Sequence, residues 1–215
     1  MSFLNQLKSQ ASALQSGQQV QQTQDEANIR LTEAAAKTAW LYVTELAKQL
    51  NVIGPDGPQL SLDGKTPWPA MKLIDFRVDA RKKKLGDLEV VDYIAMGWQI
   101  VPRAGNPVAG SVSANFPPDV QKIEGRLSSG SVRHDRVNVR HPEKQTLQAI
   151  RFDYLTEARG GLTLTPDHLS AKLGFRLVNV QGFGVTQASY PAARIQTPLL
   201  DELARLLVGQ PSIFV

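Results

Sequence analysis

Cysteine is absent from this chain of 215 residues. That absence excludes a disulfide framework, a thiolate zinc site, an iron–sulfur cluster and a cysteine nucleophile. Histidine is scarce, occurring only as His134, His141 and His168. No two of them stand four apart, and His134 and His141, seven apart, fall on opposite faces of a regular strand. Neither a metal nor a cofactor is expected. No apolar run approaches the roughly 20 residues needed to cross a bilayer. The first ten residues, MSFLNQLKSQ, lack a basic patch followed by an apolar core, which argues against a signal peptide. The expected compartment is a bacterial cytoplasm.

A strong excess of one charge is missing as well. Lys and Arg number 24 against 20 Asp and Glu, a net charge of +4. The excess sits mid-chain: residues 72–103 hold 7 basic and 5 acidic groups, and residues 104–151 hold 7 and 4. Committed nucleic-acid binders concentrate more charge than this on one face. No Phe, Tyr or Trp interleaves with the basic residues of the run Val132–His141 to stack bases, so nucleic acid is not expected as a partner.

What is present reads as an arm and one domain. Residues 1–24 hold eight Gln and a single charged side chain, Lys8. Phe3, Leu7, Ala11 and Leu14 recur at helical spacing before Gly17 interrupts them. An interfacial membrane helix carries Lys and Arg beside its apolar face, and one Lys is too few. Residues 1–24 are therefore expected to be a helical or frayed arm serving self-association, and residues 25–215 a single domain.

Thr23-Gln24-Asp25-Glu26 has the form of a capping box opening a long helix. Its expected buried stripe is Leu31, Ala35, Ala39, Tyr42, Val43, Leu46 and Leu50, with a Glu33–Lys37 pair on its surface. Asn51 and Gly54 end it. Residues 51–71 form a Pro/Gly loop that pins Trp68 between Pro67 and Pro69 as a lid over the core. Two period-2 runs follow, Met71–Arg81 and Glu89–Val101, joined at Gly86-Asp87 as a type II′ turn requires. That register sets Phe76 opposite Gly97, Val78 opposite Ala95, Ala80 opposite Tyr93, Lys84 opposite Glu89 and Arg81 opposite Asp92.

Residues 103–115 read as loop. A short helix opens at Asn115 and Pro117, buries Val120, Ile123 and Leu127, and closes at Ser128-Ser129-Gly130. Five strand-like runs follow: Val132–His141, Thr146–Ala158, Leu162–Thr165, Leu169–Val180 and Phe183–Tyr190. Ile150, Phe152 and Tyr154 share one face, which Leu162 and Leu164 join if Arg159-Gly160-Gly161 makes a hairpin loop. Leu173, Phe175 and Leu177 supply another inward row. Thr197 caps a last helix with Leu199, Leu200, Leu203 and Leu207 inward. The order predicts an α+β fold: a mainly antiparallel, curved sheet of about six to seven strands with a long N-terminal, a short middle and a C-terminal helix.

Catalytic motifs fail one by one. Asp63-Gly64-Lys65-Thr66 resembles the end of a P-loop, but Pro67-Trp68-Pro69 forbids the helix that would hold the phosphate. Gly182-Phe183-Gly184 lacks the third glycine of a dinucleotide fingerprint. Asp167, His168 and Ser170 lie too close in sequence to face one another as a triad. One pattern survives, in the strand Val132–His141. His134, Arg136, Asn138 and Arg140 share a face opposite Val137 and Val139, a run of donors suited to an anion. The expected function is thus a non-catalytic binding or interaction module, with an acidic protein as one partner. The alternative is an enzyme or carrier holding a small anionic metabolite in a pocket of the sheet.

Overall fold

The computed structural model describes residues 3–215. Residues 1 and 2 of the expected arm lie outside the described residues. One helix, α1 (Phe3–Ile53), runs through both the arm and the start of the expected domain. The capping box does not form. Thr23 Oγ1 donates to the Gln19 carbonyl at 2.9 Å, the back-bond of a Ser or Thr in mid-helix, and accepts no amide. Gly17 does not break the helix either. An interior glycine costs only about 1 kcal/mol, and adding a turn to an existing helix is far easier than nucleating one. Gly54, with φ of 56°, ends α1 by donating its amide to Leu50.

Eight strands follow α1, arranged as two antiparallel sheets where a single sheet was expected. The first sheet has the order β1 (Met71–Leu85), β2 (Leu88–Pro102), β6 (Ala158–Asp167), β7 (Lys172–Val178), β8 (Val185–Pro191). The second has the order β3 (Ala109–Ala114), β5 (Leu147–Leu155), β4 (His134–Arg140). Strand β3 occupies part of the segment expected to be loop. Helix α2 (Pro117–Ser129) lies between β3 and β4 in sequence and buries Val120, Ile123 and Leu127, as its spacing predicts. Helix α3 (Thr197–Leu207) begins beside Gln196, with no side-chain cap from Thr197, and buries Leu200, Leu203, Leu206 and Leu207. The α+β class, the three helices and the antiparallel pairing match the sequence reading.

The β1–β2 hairpin turns at Gly86-Asp87, with only Gly86 at positive φ. Lys84 lies opposite Glu89, and the same register returns at Ile74–Gln99. Two breaks shift the pairing by one residue in between, so Arg81 faces Tyr93, Val78 faces Met96 and Arg77 faces Gly97. The expected Phe76–Gly97, Val78–Ala95, Ala80–Tyr93 and Arg81–Asp92 pairs are therefore absent. The row of β2 that enters the core is Ile94, Met96, Trp98 and Ile100, not Tyr93 and Ala95.

The break between Ile74 and Arg77, which restores the turn's register, is set from the end of α1. The Asn51 amide bonds both polar atoms of the Phe76 backbone, accepting from its N–H at 2.7 Å and donating to its carbonyl at 2.9 Å. Asp75 takes φ of 56°, and Phe76 turns inward to stack on Trp98, with ring centroids 5.5 Å apart. A β-bulge with a side-chain surrogate for the lost ladder bonds is the result.

Gly160 was expected in a β5–β6 hairpin loop, but β5 and β6 do not pair. Gly160 sits inside β6 opposite Trp98, where a Cβ would lie 2.1 Å from the Trp98 indole nitrogen. The glycine pair makes room for an aromatic ring rather than a turn. One core joins both sheets and all three helices: Phe152 from β5, Leu162 and Leu164 from β6, and Leu173, Phe175 and Leu177 from β7 are all buried. Trp68 closes this core as its flanking prolines suggest. It stacks on Tyr154 at 5.5 Å and meets Phe183 edge-on at 5.3 Å.

Candidate functional site

The donor row on β4 does not converge. Arg136, the residue opposite Phe152, lies over α2 and is engaged by Glu124, Nε to Oε1 at 3.1 Å. Its Nη1 reaches Asn138 Oδ1 at 3.3 Å. Arg140 donates to the Gln145 carbonyl at 3.0 Å, and His134 Nδ1 lies 2.9 Å from the Val132 carbonyl. His134 lines an open hollow of about 600 Å³ that also holds Arg133, Asp135 and Asp153. Carboxylates therefore share the space nearest His134, while Arg136 and Arg140, about 13 Å apart along the strand, point to separate partners. Only Arg136 meets a carboxylate. Arg140 forms no ion pair among the described residues.

In the turn between β6 and β7 Ser170 meets Asp167, but His168 joins neither of them. Ser170 Oγ and its amide both donate to Asp167, whose carboxyl is held below the usual carboxylate range by those bonds. His168 is buried and turns the other way, its Nε2 2.8 Å from Glu33 Oε1 on α1. The same oxygen accepts the Val91 amide at 2.9 Å. Glu33 is thus a fastener between α1, β2 and the β6–β7 turn, and the expected Glu33–Lys37 pair does not form. Sequence spacing could not show this, because the two residues are 135 positions apart.

The remaining polar loop, residues 54–70, is organised around Asp63. Burial alone would raise its carboxyl. The amides of Thr66 and Lys65 and the hydroxyls of Thr66 and Ser61 all donate to it, and together they hold it far below the usual range. Arg126 of α2 then ties the loop down through the Ser61 and Leu62 carbonyls, at 3.2 and 2.8 Å. Among the described residues no group of three or more His, Asp or Glu is placed to hold a metal ion. Nor is any described helix long and apolar enough to cross a membrane.

The other candidate is α1 itself. Its C-terminal half lies on the sheet through Thr32, Ala35, Ala36, Ala39, Val43, Ala47 and Leu50, all buried. Leu31, expected in that stripe, is 43% exposed, because the buried face is rotated toward Thr32 and Ala36. The first hydrogen bond from α1 to the body, among the described residues, is from Asn28 Nδ2 to the Leu169 carbonyl at 2.6 Å. Before it, every described side chain from residue 3 to residue 24 is exposed. That stretch projects about 33 Å at the rise of an α-helix. Phe3, Leu7 and Leu14 stand on it 73%, 46% and 69% exposed, with Val20 at 71%. Val20, six residues beyond Leu14, stands about 120° round the helix from it.

The chain matches no known family profile, no curated protein and no solved structure.

Proposed function

We propose that this protein is a non-catalytic interaction module that assembles through its projecting N-terminal helix. The observation that carries this reading is the overhang of α1. A helix of about 22 residues, uncharged but for Lys8, extends beyond the body with a spaced apolar stripe facing water. A polar helix exposed on all sides has nothing but backbone bonds to hold it, and such helices are marginal in water. A second copy of the same helix supplies the missing apolar surface. The near absence of charge along it removes the repulsion that would otherwise oppose two identical helices meeting. Burying Phe3, Leu7, Leu14 and Val20 against a partner favours association by roughly 1.5–3 kcal/mol per side chain.

Deleting residues 1–22 tests this. The expected result is an unchanged melting temperature with loss of concentration-dependent mass in light scattering. A large fall in melting temperature in a protein that is monomeric throughout would make the helix part of the core and end the proposal.

An acidic partner lying along β4 is a second reading, supported by Arg140 having no carboxylate partner among the described residues. An extended partner suits the 13 Å separation of Arg136 and Arg140 better than a compact anion does. Replacing both arginines with Gln should abolish salt-sensitive binding to an acidic peptide and leave the fold intact. Equal binding by the double variant would reduce this strand to a solvated edge.

A further inference from the structure

The two sheets have four edge strands, and they are not alike. Strand β1 carries Asp75, Arg77, Asp79 and a run of four basic residues, with two register breaks. Strand β4 carries His134, Asp135, Arg136 and Arg140, with one break. Charges and bulges on an edge are the ordinary means by which a sheet avoids pairing with another chain. Strand β3 is uncharged but short, and it is bracketed by Pro107 and by Pro117-Pro118. Strand β8 is different: seven residues, VTQASYP, with no charge and no register break.

The hydrogen-bond pattern says which backbone groups of β8 are free. At one end the Asn179 amide donates to the Gly184 carbonyl at 2.9 Å, and at the other the Ala192 amide donates to the Ala171 carbonyl at 2.8 Å. Bonded and non-bonded pairs alternate between them in an antiparallel ladder. Thr186, Ala188 and Tyr190 therefore bond to β7, and the N–H and C=O of Val185, Gln187 and Ser189 point away from it. Pro191 stands where its missing N–H would also have pointed outward, the one place an edge strand tolerates proline at no loss. Among the described residues nothing bonds to these outward groups. Phe214 packs on Tyr190 and Phe175, with centroids 5.3 and 5.2 Å away, while its neighbours Ile213 and Val215 are 87% and 53% exposed.

We propose that β8 pairs antiparallel with β8 of a second copy of this chain, about a two-fold axis at Gln187, joining two five-stranded sheets into one of ten. Val185 then meets Ser189 of the other copy, and Gln187 meets Gln187, so each outward donor finds an acceptor and no like charges are opposed. A second copy fits better than an acidic or basic peptide, since the strand offers such a peptide no complementary charge. The interface is separate from the α1 overhang and does not depend on it. A chain with both would have two self-complementary faces and build a closed tetramer or an open array.

The test is light scattering of full-length chains with amide hydrogen exchange on the wild type. Gln187→Pro removes an N–H that bonds nothing inside the protomer, and Gln187→Lys sets two ammonium groups at the axis. Both should halve the assembled mass. Val185, Gln187 and Ser189 amides should be protected in the wild type and exchange freely in Gln187→Lys. A Leu7→Lys/Leu14→Lys chain reports on the helix overhang alone: loss of its effect would count against that reading and leave the β8 pairing standing. Folded Gln187 variants of unchanged mass, or fast exchange at those three amides in the wild type, would overturn the β8 interface.

Discussion

Helix α1 is one rod with two environments. From Asn28 onward it lies on the sheet, and the residues that enter the core are small: Ala35, Ala36, Ala39 and Ala47, with Val43 and Leu50. From residue 3 to residue 24 every described side chain is exposed, and large apolar residues stand among them: Phe3, Leu7, Leu14 and Val20. Small side chains let a helix axis approach a sheet closely, and close packing then makes any added volume costly. Large side chains spaced along an exposed helix have room for added volume. Helical spacing looks the same in both halves, so periodicity reports that a face exists and says nothing about what covers it.

The comparison can be broken most directly by adding the same bulk to each half. Ala39→Leu should lower unfolding stability by about 3 kcal/mol, because Ala39 is fully buried against the sheet. Ala11→Leu should leave chemical denaturation unchanged and strengthen self-association. Equal effects at both positions would mean that the two halves are not in different environments.

Glu33 ties α1 to two other elements through a single carboxylate oxygen. Its loss strands two groups at once, the buried His168 ring and the Val91 amide. Glu33→Ala should cost about 2 kcal/mol in urea denaturation, while Lys37→Ala, which breaks no ion pair, should cost almost nothing. A reversed ranking would restore the surface Glu33–Lys37 pair in place of the fastener.

A smaller effect belongs to the loop beside α2. The carboxyl of Asp63 is depressed in the folded protein, so its contribution is complete above the unfolded carboxylate value, near 4, and is lost as pH falls through the lower folded value. Asp63→Ala should destabilise by about 1 kcal/mol at neutral pH and by progressively less in strong acid. Thermal melts at pH 7 and at pH 2 read the difference, and a penalty that grows toward acid would contradict the sign.

Much of the architecture was legible because it depends on neighbours in sequence. Gly86-Asp87 makes a two-residue turn wherever it lies between strands, and Lys84 then falls opposite Glu89. Pro117 and the Val120, Ile123, Leu127 spacing define α2 without reference to anything distant. The same reasoning failed at Phe76, where the bulge is imposed by Asn51 from the end of another element. It failed at Gly160, where a turn-forming residue serves as clearance for Trp98. At the β4 site it found a donor run but could not see Glu124 arriving from α2 to take up Arg136. The uncharged composition of β8 was in view throughout, yet it has meaning only once β8 is known to be an edge.

What the sequence determined by itself is the set of elements: helices where apolar residues recur at three and four, strands where they alternate, and turns where glycine and proline permit them. These follow from forces acting over a few residues, which the local order of side chains contains in full. The tertiary structure alone decided that eight strands divide into two sheets, that β5 leaves β6 unpaired, and that half of α1 is buried while half is free. It also decided that Glu33 belongs to His168 and that β8 lies at an edge. Those outcomes depend on contacts between residues tens to more than a hundred positions apart, and their energies exist only after the chain has closed on itself.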